Sequence, residues 1–331
     1  MTESYEAGSS RFDVSPGEYS LQESGGLESG AFPEPAMASE RLTPPRPSVV
    51  LPLILFFLTC LSTWAVGGWE YSLALMSILL AHEMGHFLQC VRYRVPATLP
   101  LFIPMPTIIG TMGAVIVQRG RHADRKQMFD IAVSGPLAGL VVAIPALIWG
   151  LNHSNVAPIP TDRFVYHFGE PLLVQWLVFW KFGPLLPGED TFMHPVAMAG
   201  WVGIFITALN LLPVSQLDGG HILYCLLGKK AHLVAVNLWR LALLVVIIGG
   251  TFYDPSLYSW TVMLFLIWLM GLRHPATRND DVPLGPGRRY LGWATLAFIL
   301  IGFTPNPISI SEPTTQRDLV QAPTPVSASV R

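Results

Sequence analysis

Apolar residues in this chain come in helix-length blocks separated by short segments rich in Arg, Lys, Gly and Pro. The block from Val49 to Gly67 is 19 residues long, close to the ~20 residues of helix that cross a hydrocarbon core of about 30 Å. It predicts a first membrane span. Gly67, Gly68 and Glu70 predict a turn, and the block from Ser72 to Val91, closed by Arg92 and Arg94, predicts a helix that returns. Further spans are predicted from about Phe129 to Leu151, Pro195 to Leu212, Ala231 to Gly250 and Ser256 to Leu272. Tyr290 to Phe303 is a candidate last span of marginal length. Leu172 to Phe182 is too short to cross and carries Trp176, Trp180 and Lys181, which suits a helix lying at the interface.

One apolar segment breaks the helical rule. Pro96 to Gln118 holds Pro96, Pro100, Pro104 and Pro106, which a regular helix does not tolerate. Its β-branched residues, among them Thr107, Ile108, Ile109, Thr111, Val115, Ile116 and Val117, are interrupted by Gly110 and Gly113. This predicts a strand or hairpin dipping into the membrane, whose open edge would accept an extended peptide. A plain cytoplasmic loop lying on the bilayer is the simpler alternative.

Composition agrees with the membrane reading: 51% of residues are apolar and only 13% charged, against about 25% charged in soluble domains. With a net charge of −2 and no basic stripe outside short loops, nothing points to a nucleic-acid partner; the expected partners lie in the lipid bilayer. Cys60, Cys90 and Cys225 have no CxxC spacing and read as small core residues. Residues 1–48 contain eight acidic and three basic residues with Gly, Ser and Pro, the composition of a disordered tail. That tail lacks the basic start of a secretory signal and the Arg-rich, acid-poor character of a transit peptide, so a bacterial cytoplasmic membrane is expected. Most loop Arg and Lys residues fall on one side of the predicted spans, with only Arg163 and Lys181 opposite, which places the N-terminus in the cytoplasm.

The candidate chemistry sits in the returning helix, as His82-Glu83-Met84-Gly85-His86. Positions i and i+4 share a helix face, so both histidines can reach one metal ion while Glu83 points at water beside it. Hydrogen bonding inside a helix bundle is the bland alternative, but ionisable groups at membrane depth are costly and mark function. Counting about 1.5 Å per residue, His86 is roughly 9 Å and His82 roughly 15 Å along the helix from Arg92, in the cytoplasmic half of the bilayer. In the next helix, Ser134-Gly135-Pro136-Leu137-Ala138-Gly139 offers a small-residue face, for which close helix packing is a sufficient reason. Later, Asn210-Leu211-Leu212-Pro213 precedes Leu217-Asp218-Gly219-Gly220-His221. Pro213 ends a helix there, leaving Asp218 either as a cap for the following helix or as a third metal ligand, since zinc accepts carboxylate oxygen. Asn210 has two readings, an oxyanion or substrate donor and an interhelical hydrogen bond. His221 is expected to support a ligand, His153, His167 and His194 to be loop residues, and Arg240 to need a polar partner.

Together, the HExxH helix, the SGPLAG stretch and the paired Asn210 and Asp218 motifs resemble the site-2 protease family of intramembrane zinc metalloproteases, peptidase family M50, over about Ser72 to Gly228. The resemblance implies one Zn2+ per chain held by His82, His86 and Asp218, Glu83 as general base, Asn210 near the scissile carbonyl, and the Pro-rich segment as a membrane-associated β element that presents substrate. The implied substrates are single-pass membrane proteins cut in or near their transmembrane segments during regulated intramembrane proteolysis; homo-oligomers are left open. No stretch is long enough for the PDZ or nucleotide-sensing domains of many relatives. A metal or proton transporter and an inactive helix-binding scaffold are the competing classes; a transporter would often show repeated halves, and none is visible.

The expected fold class is an all-α polytopic membrane protein of about six or seven transmembrane helices, with a small membrane-associated β-hairpin or sheet after the catalytic helix. The expected organisation is a disordered cytoplasmic tail (1–48) and a transmembrane metalloprotease core (49–272). Within that core lie the catalytic helix (72–91), β element (96–118), GPLAG helix (129–151) and Asn/Asp motif (210–220). A basic loop with the candidate last span (273–304) and a disordered C-terminal tail (305–331) follow.

Overall fold

A computed structural model of the chain describes residues 49–116 and 122–311. The predicted N-terminal tail, the C-terminal tail beyond residue 311, and Arg119 and Arg121 lie outside the described residues.

The first two predicted helices form one helical stretch, α1 (Val50–Tyr93), broken at Gly68, whose φ is 78° and ψ −178°. In a straight helix residues 60 and 72 would stand about 18 Å apart. Instead the Ser72 hydroxyl donates to the Cys60 carbonyl at 2.9 Å and meets the Thr63 hydroxyl at 2.8 Å. The chain therefore doubles back, at a backbone angle that glycine adopts without steric cost.

After α1 come β1 (Leu101–Pro104) and β2 (Thr111–Val115), an antiparallel pair in which Leu101 faces Val115 and Phe102 faces Ala114. The Pro-rich segment is thus a hairpin, as its β-branched content predicts. Its tip is tied to α1 on both sides of the reversal: the Ser62 hydroxyl donates to the Gly110 carbonyl at 2.6 Å and the Tyr71 hydroxyl to the Ile109 carbonyl at 2.9 Å.

Helix α2 (Arg125–Asn152) starts on a capping box. Asp124 accepts from the Gln127 amide at 2.8 Å while Gln127 accepts from the Asp124 amide at 3.0 Å, satisfying two end-of-helix donors. The long connection that follows holds β3 (Asn155–Pro158), β4 (Val165–Phe168), the predicted short helix α3 (Leu172–Phe182) and β5 (Glu189–Phe192). Then come α4 (Pro195–Asn210), α5 (Asp218–Leu227), α6 (Lys230–Phe252), a 3-10 turn (Pro255–Ser259), α7 (Trp260–Met270), α8 (Pro286–Ala297), α9 (Ile299–Gly302) and β6 (Ile308–Ser311).

Two features depart from expectation. β3 pairs with β5, and β4 with β6, so the described residues contain two further two-stranded sheets beyond the hairpin. β6 also corrects the disordered tail predicted from residue 305: Ile308-Ser309-Ile310-Ser311 alternates with the period of a strand and zips onto Val165–Phe168. Pro-rich composition over the whole tail hides so short a strand.

The core lies where α1, α2 and α4 meet, with Leu75, Ile78, Ala143, Leu147, Trp201 and Ile204 fully buried. A second cluster joins α2 to α5 and α8 through Phe129, Ile222, Cys225 and Leu296. There α8 is also clamped electrostatically, Arg288 donating to the two Asp130 oxygens at 2.7 and 2.9 Å while the Tyr93 hydroxyl donates to the same carboxylate at 2.5 Å. Among the described residues, α1, α2 and α6 are long and apolar enough to cross a membrane by length and composition. Their outward faces are apolar, with Leu61, Leu73, Val141 and Leu241 exposed.

Candidate metal centre

The returning arm of α1 carries His82 and His86 one turn apart, with ring centroids 5.0 Å from each other. α2 lies against this face because its small residues make room. A Cβ on Gly135 would stand 2.0 Å from His86 Nε2, and one on Gly139 would stand 3.1 Å from His82 Nδ1. The small-residue face predicted for helix packing therefore accommodates the two imidazole rings. The Ser134 hydroxyl adds a cross-link, reaching the Gly85 carbonyl at 2.9 Å and the Ile131 carbonyl at 2.8 Å.

Asp218 arrives from more than a hundred residues away, as the first residue of α5. It is not a cap: Leu217 holds the N-cap position and no side chain makes a capping bond there. Its Oδ2 instead lies 3.2 Å from His82 Nε2 and 3.3 Å from His86 Nε2. One ligand atom from each of the three residues falls within 4.8 Å of the others.

These atoms fit a zinc ion. His86 Nδ1 lies 2.8 Å from the Ile131 carbonyl, which can only accept, so Nδ1 carries a proton and Nε2 is the ring nitrogen that faces the Asp218 carboxylate, the orientation a metal ligand requires. A proton shared across 3.3 Å or a metal ion bound by both atoms satisfies this imidazole–carboxylate contact, and the donor set, two imidazole nitrogens and one carboxylate oxygen, is one that zinc accepts. A tetrahedral zinc with bonds of about 2.0–2.1 Å would set its donors about 3.3–3.4 Å apart, close to the 3.2 and 3.3 Å of the two Asp218 contacts.

Glu83 and Asn210 complete the group. Glu83 is 5% exposed and lines the same cavity as the histidines. Asn210 ends α4, and its Nδ2 lies 3.3 Å from His82 Nε2, so its amide converges on the metal-facing nitrogen across a helix interface. The cavity measures about 460 Å3 and is also lined by Ala114, Val115 and Ile116 from β2 and its continuation, and by His221. Among the described residues no second strand covers the far edge of β2.

His221, predicted to support a ligand, meets His274 (Nδ1 to Nε2, 2.5 Å), and no metal-ligand contact involves it. The three histidines expected in the long connection stay away from the centre: His153 stacks on Trp149, His167 pairs with Asp190 at 3.1 Å, and His194 lies 3.5 Å from Glu70. Sequence reasoning missed three parts of the site. The Ile131 carbonyl leaves no side-chain signal at all. Ser134 lies inside SGPLAG, a stretch whose composition points to packing or an indirect role positioning the metal helix, without marking Ser134 itself. Pro275 and Ala276, which line the cavity, lie in a loop noted only for its charge.

Comparison with known proteins adds the family. The chain is 34% identical over 163 residues to the "Probable zinc metalloprotease EGY1, chloroplastic" of Oryza sativa subsp. japonica, covering 47% of this chain and 28% of that protein. To the Arabidopsis thaliana protein of the same name it is 31% identical over 238 residues, covering 70% of this chain and 42% of the relative. To the "Probable zinc metalloprotease EGY2, chloroplastic" of Oryza sativa subsp. indica it is 28% identical over 241 residues, covering 71% and 42% respectively. The chain thus spans less than half the length of these relatives. Their names place them in chloroplasts, so the expected bacterial cytoplasmic membrane finds no support in them; an integral membrane protein is what the apolar helices and these relatives support together. The description "Peptidase family M50" matches residues 70–248, a stretch that includes His82, Glu83, His86, Asn210 and Asp218. The chain belongs to peptidase family M50.

Proposed function

We propose that this chain is an intramembrane zinc metalloprotease that hydrolyses peptide bonds in or near transmembrane segments of single-pass membrane proteins. The observation that carries the reading is the convergence of His82, His86 and Asp218 on one point, with Glu83, Asn210 and the β2 edge around the same cavity. His82 Nε2, His86 Nε2 and an Asp218 oxygen would hold one Zn2+. Zinc held there would supply Lewis-acid chemistry, polarising the scissile carbonyl and making the attacking water more acidic.

The chain's own residues do the rest. Glu83 takes a proton from the attacking water and later delivers it to the leaving amine nitrogen as the C–N bond breaks. The Asn210 amide donates to the carbonyl oxygen as negative charge gathers there. A helical substrate hides its carbonyls in its own hydrogen bonds. Pairing with the free edge of β2 holds the segment extended beside the metal, because main-chain hydrogen bonds to the strand replace those of the lost helix.

The membrane arrangement belongs to the same reading. The reversal at Gly68 makes α1 two crossings, and α8 with α9 runs from the Asp130 end of α2 to β6, which pairs with β4 beyond the other end of α2. That path supports residues 290–303 as a crossing and a total near the six or seven predicted. The core is 49–272, with the basic loop and last crossing at 273–304. The N-terminus and the metal centre lie toward the side bearing most loop Arg and Lys residues, the cytoplasm-facing side in the positive-inside rule.

The deciding experiment uses purified full-length chain in proteoliposomes with a membrane-protein substrate. Glu83→Gln is expected to keep zinc and lose cleavage by at least about a thousandfold. Full cleavage by that variant with zinc bound would refute the mechanism, and zinc crossing the vesicle wall without peptide products would favour transport.

A further inference from the structure

Helix α6 has two unlike faces. Ala231, Ala235, Val246 and Gly250 are buried against the rest of the molecule. Opposite them runs a stripe of Leu233, Asn237, Arg240, Leu244, Ile247 and Thr251, all exposed. The steps along it alternate between four and three residues, the spacing of a seam that packs against a second helix.

Arg240 stands in the middle of this stripe. It is roughly 15 Å along the helix from Lys230 and roughly 18 Å from Phe252, which puts it near the midplane of a hydrocarbon layer about 30 Å thick. Snorkelling serves cations near helix ends, and a charge at the midplane is expected to find a partner. Among the described residues, none pairs with it: the ion pairs are His82–Asp218, His86–Asp218, Arg163–Asp162, His167–Asp190, His194–Glu70, Arg278–Asp124 and Arg288–Asp130. The acids carried on membrane helices are already engaged. Asp218 meets the two histidines, Asp130 holds Arg288, Glu70 faces His194, and Glu83 is buried in the metal centre. A second copy of the chain therefore brings no spare described carboxylate to this depth.

We propose that the α6 stripe is the docking seam for a transmembrane helix of a different membrane protein, one that carries Asp or Glu at mid-membrane depth to meet Arg240, with Asn237 adding a hydrogen bond one turn away. The inference rests on α6 crossing the membrane and stands apart from the proteolytic reading. The seam lies on the opposite face of α6 from Ala231 and Ala235, which pack toward the α5 side, so the docked helix lies across α6 from α5, and no α6 residue lines the metal cavity.

The test uses the full chain, fused at its C-terminus to a fluorescent donor, in phosphatidylcholine vesicles. The probe is an acceptor-labelled synthetic Leu/Ala transmembrane peptide with one central Asp, compared with the same peptide bearing Leu there. Energy transfer is expected to show about tenfold tighter association of the Asp peptide. Arg240→Leu is expected to erase that preference, and Arg240→Asp to transfer it to a peptide with a central Lys. Arg240→Leu makes the span more apolar and leaves the buried face intact, and unchanged zinc content verifies its fold. Equal binding of the Asp and Leu peptides by the unaltered chain overturns the proposal, as does a preference that survives Arg240→Leu. So does self-association of the chain that Arg240→Leu abolishes, since a second copy would then cover the seam.

Discussion

Gly135 is where packing and chemistry meet most closely. Any Cβ there would overlap His86 Nε2, which is also the atom proposed to bind zinc. Gly135→Ala is therefore expected to tilt the His86 ring away from Asp218, lowering bound zinc well below one per chain by metal analysis and abolishing cleavage. Asn210 separates two roles in the opposite way. If its amide stabilises the oxyanion, Asn210→Ala lowers kcat by about 10²–10³ with zinc content unchanged; loss of zinc instead would make it a residue that positions His82. The pairing of His82 with His86 was legible because both lie on one helix, and helix geometry alone puts i and i+4 side by side. Asp218 was legible only as one of two alternatives, because a carboxylate beside a Pro-broken helix end has no local feature that separates cap from ligand. The Ile131 carbonyl was not legible at all: every residue carries a carbonyl, and only packing aims one at a histidine.

At the level of elements, hydropathy located the helices well, and composition located the hairpin. α3 coincides with the predicted interfacial helix at Leu172–Phe182, and its exposed Trp176 and Trp180 suit an interface. The two extra sheets were not legible because each strand is four residues long and its partner is distant in sequence, so periodicity has too few repeats to register. The loop between α7 and α8 shows how an unremarkable basic segment becomes structural. Burial pushes the Asp280 carboxyl up, but hydrogen bonds from Thr277 (2.6 Å) and the Tyr224 hydroxyl (2.7 Å) outweigh it and hold Asp280 below its usual range. A folded-state value below the unfolded one contributes stability that is present at neutral pH and lost as pH falls through the folded value. The detergent-solubilised chain is accordingly expected to lose melting temperature as pH drops below about 4, and Asp280→Asn to flatten that acid-side loss.

Across the whole molecule, zinc held by His82, His86 and Asp218 would act as a staple between α1 and α5, with α2 and α4 completing its surroundings. Zinc that binds the folded chain and not the unfolded one adds stability by mass action, about 4 kcal/mol when free zinc is a thousandfold above its dissociation constant. Stripping zinc with 1,10-phenanthroline is therefore expected to stop cleavage and also to lower the melting temperature, with both restored by added Zn2+. Unchanged melting on complete metal removal would show that the helices hold the three ligands in place without the ion. The clamp of Arg288 on Asp130 ties α8, which lies beyond the matched residues 70–248, to the same helix that carries the Ile131 carbonyl. The candidate metal centre is thus braced by a segment outside the family match.

The sequence by itself determined what short-range geometry controls: which blocks are helices, where Pro and β-branched residues exclude one, and that His82, Glu83 and His86 share a helix face. Backbone periodicity encodes these within a few residues. Only the tertiary structure decided which distant groups converge on them. Asp218 reaches the histidines because α5 begins against α1, Asn210 because α4 ends there, and the two rings fit because Gly135 and Gly139 leave them space. Those contacts join residues far apart in the chain, and their distances follow from how the helices pack, which no local pattern records.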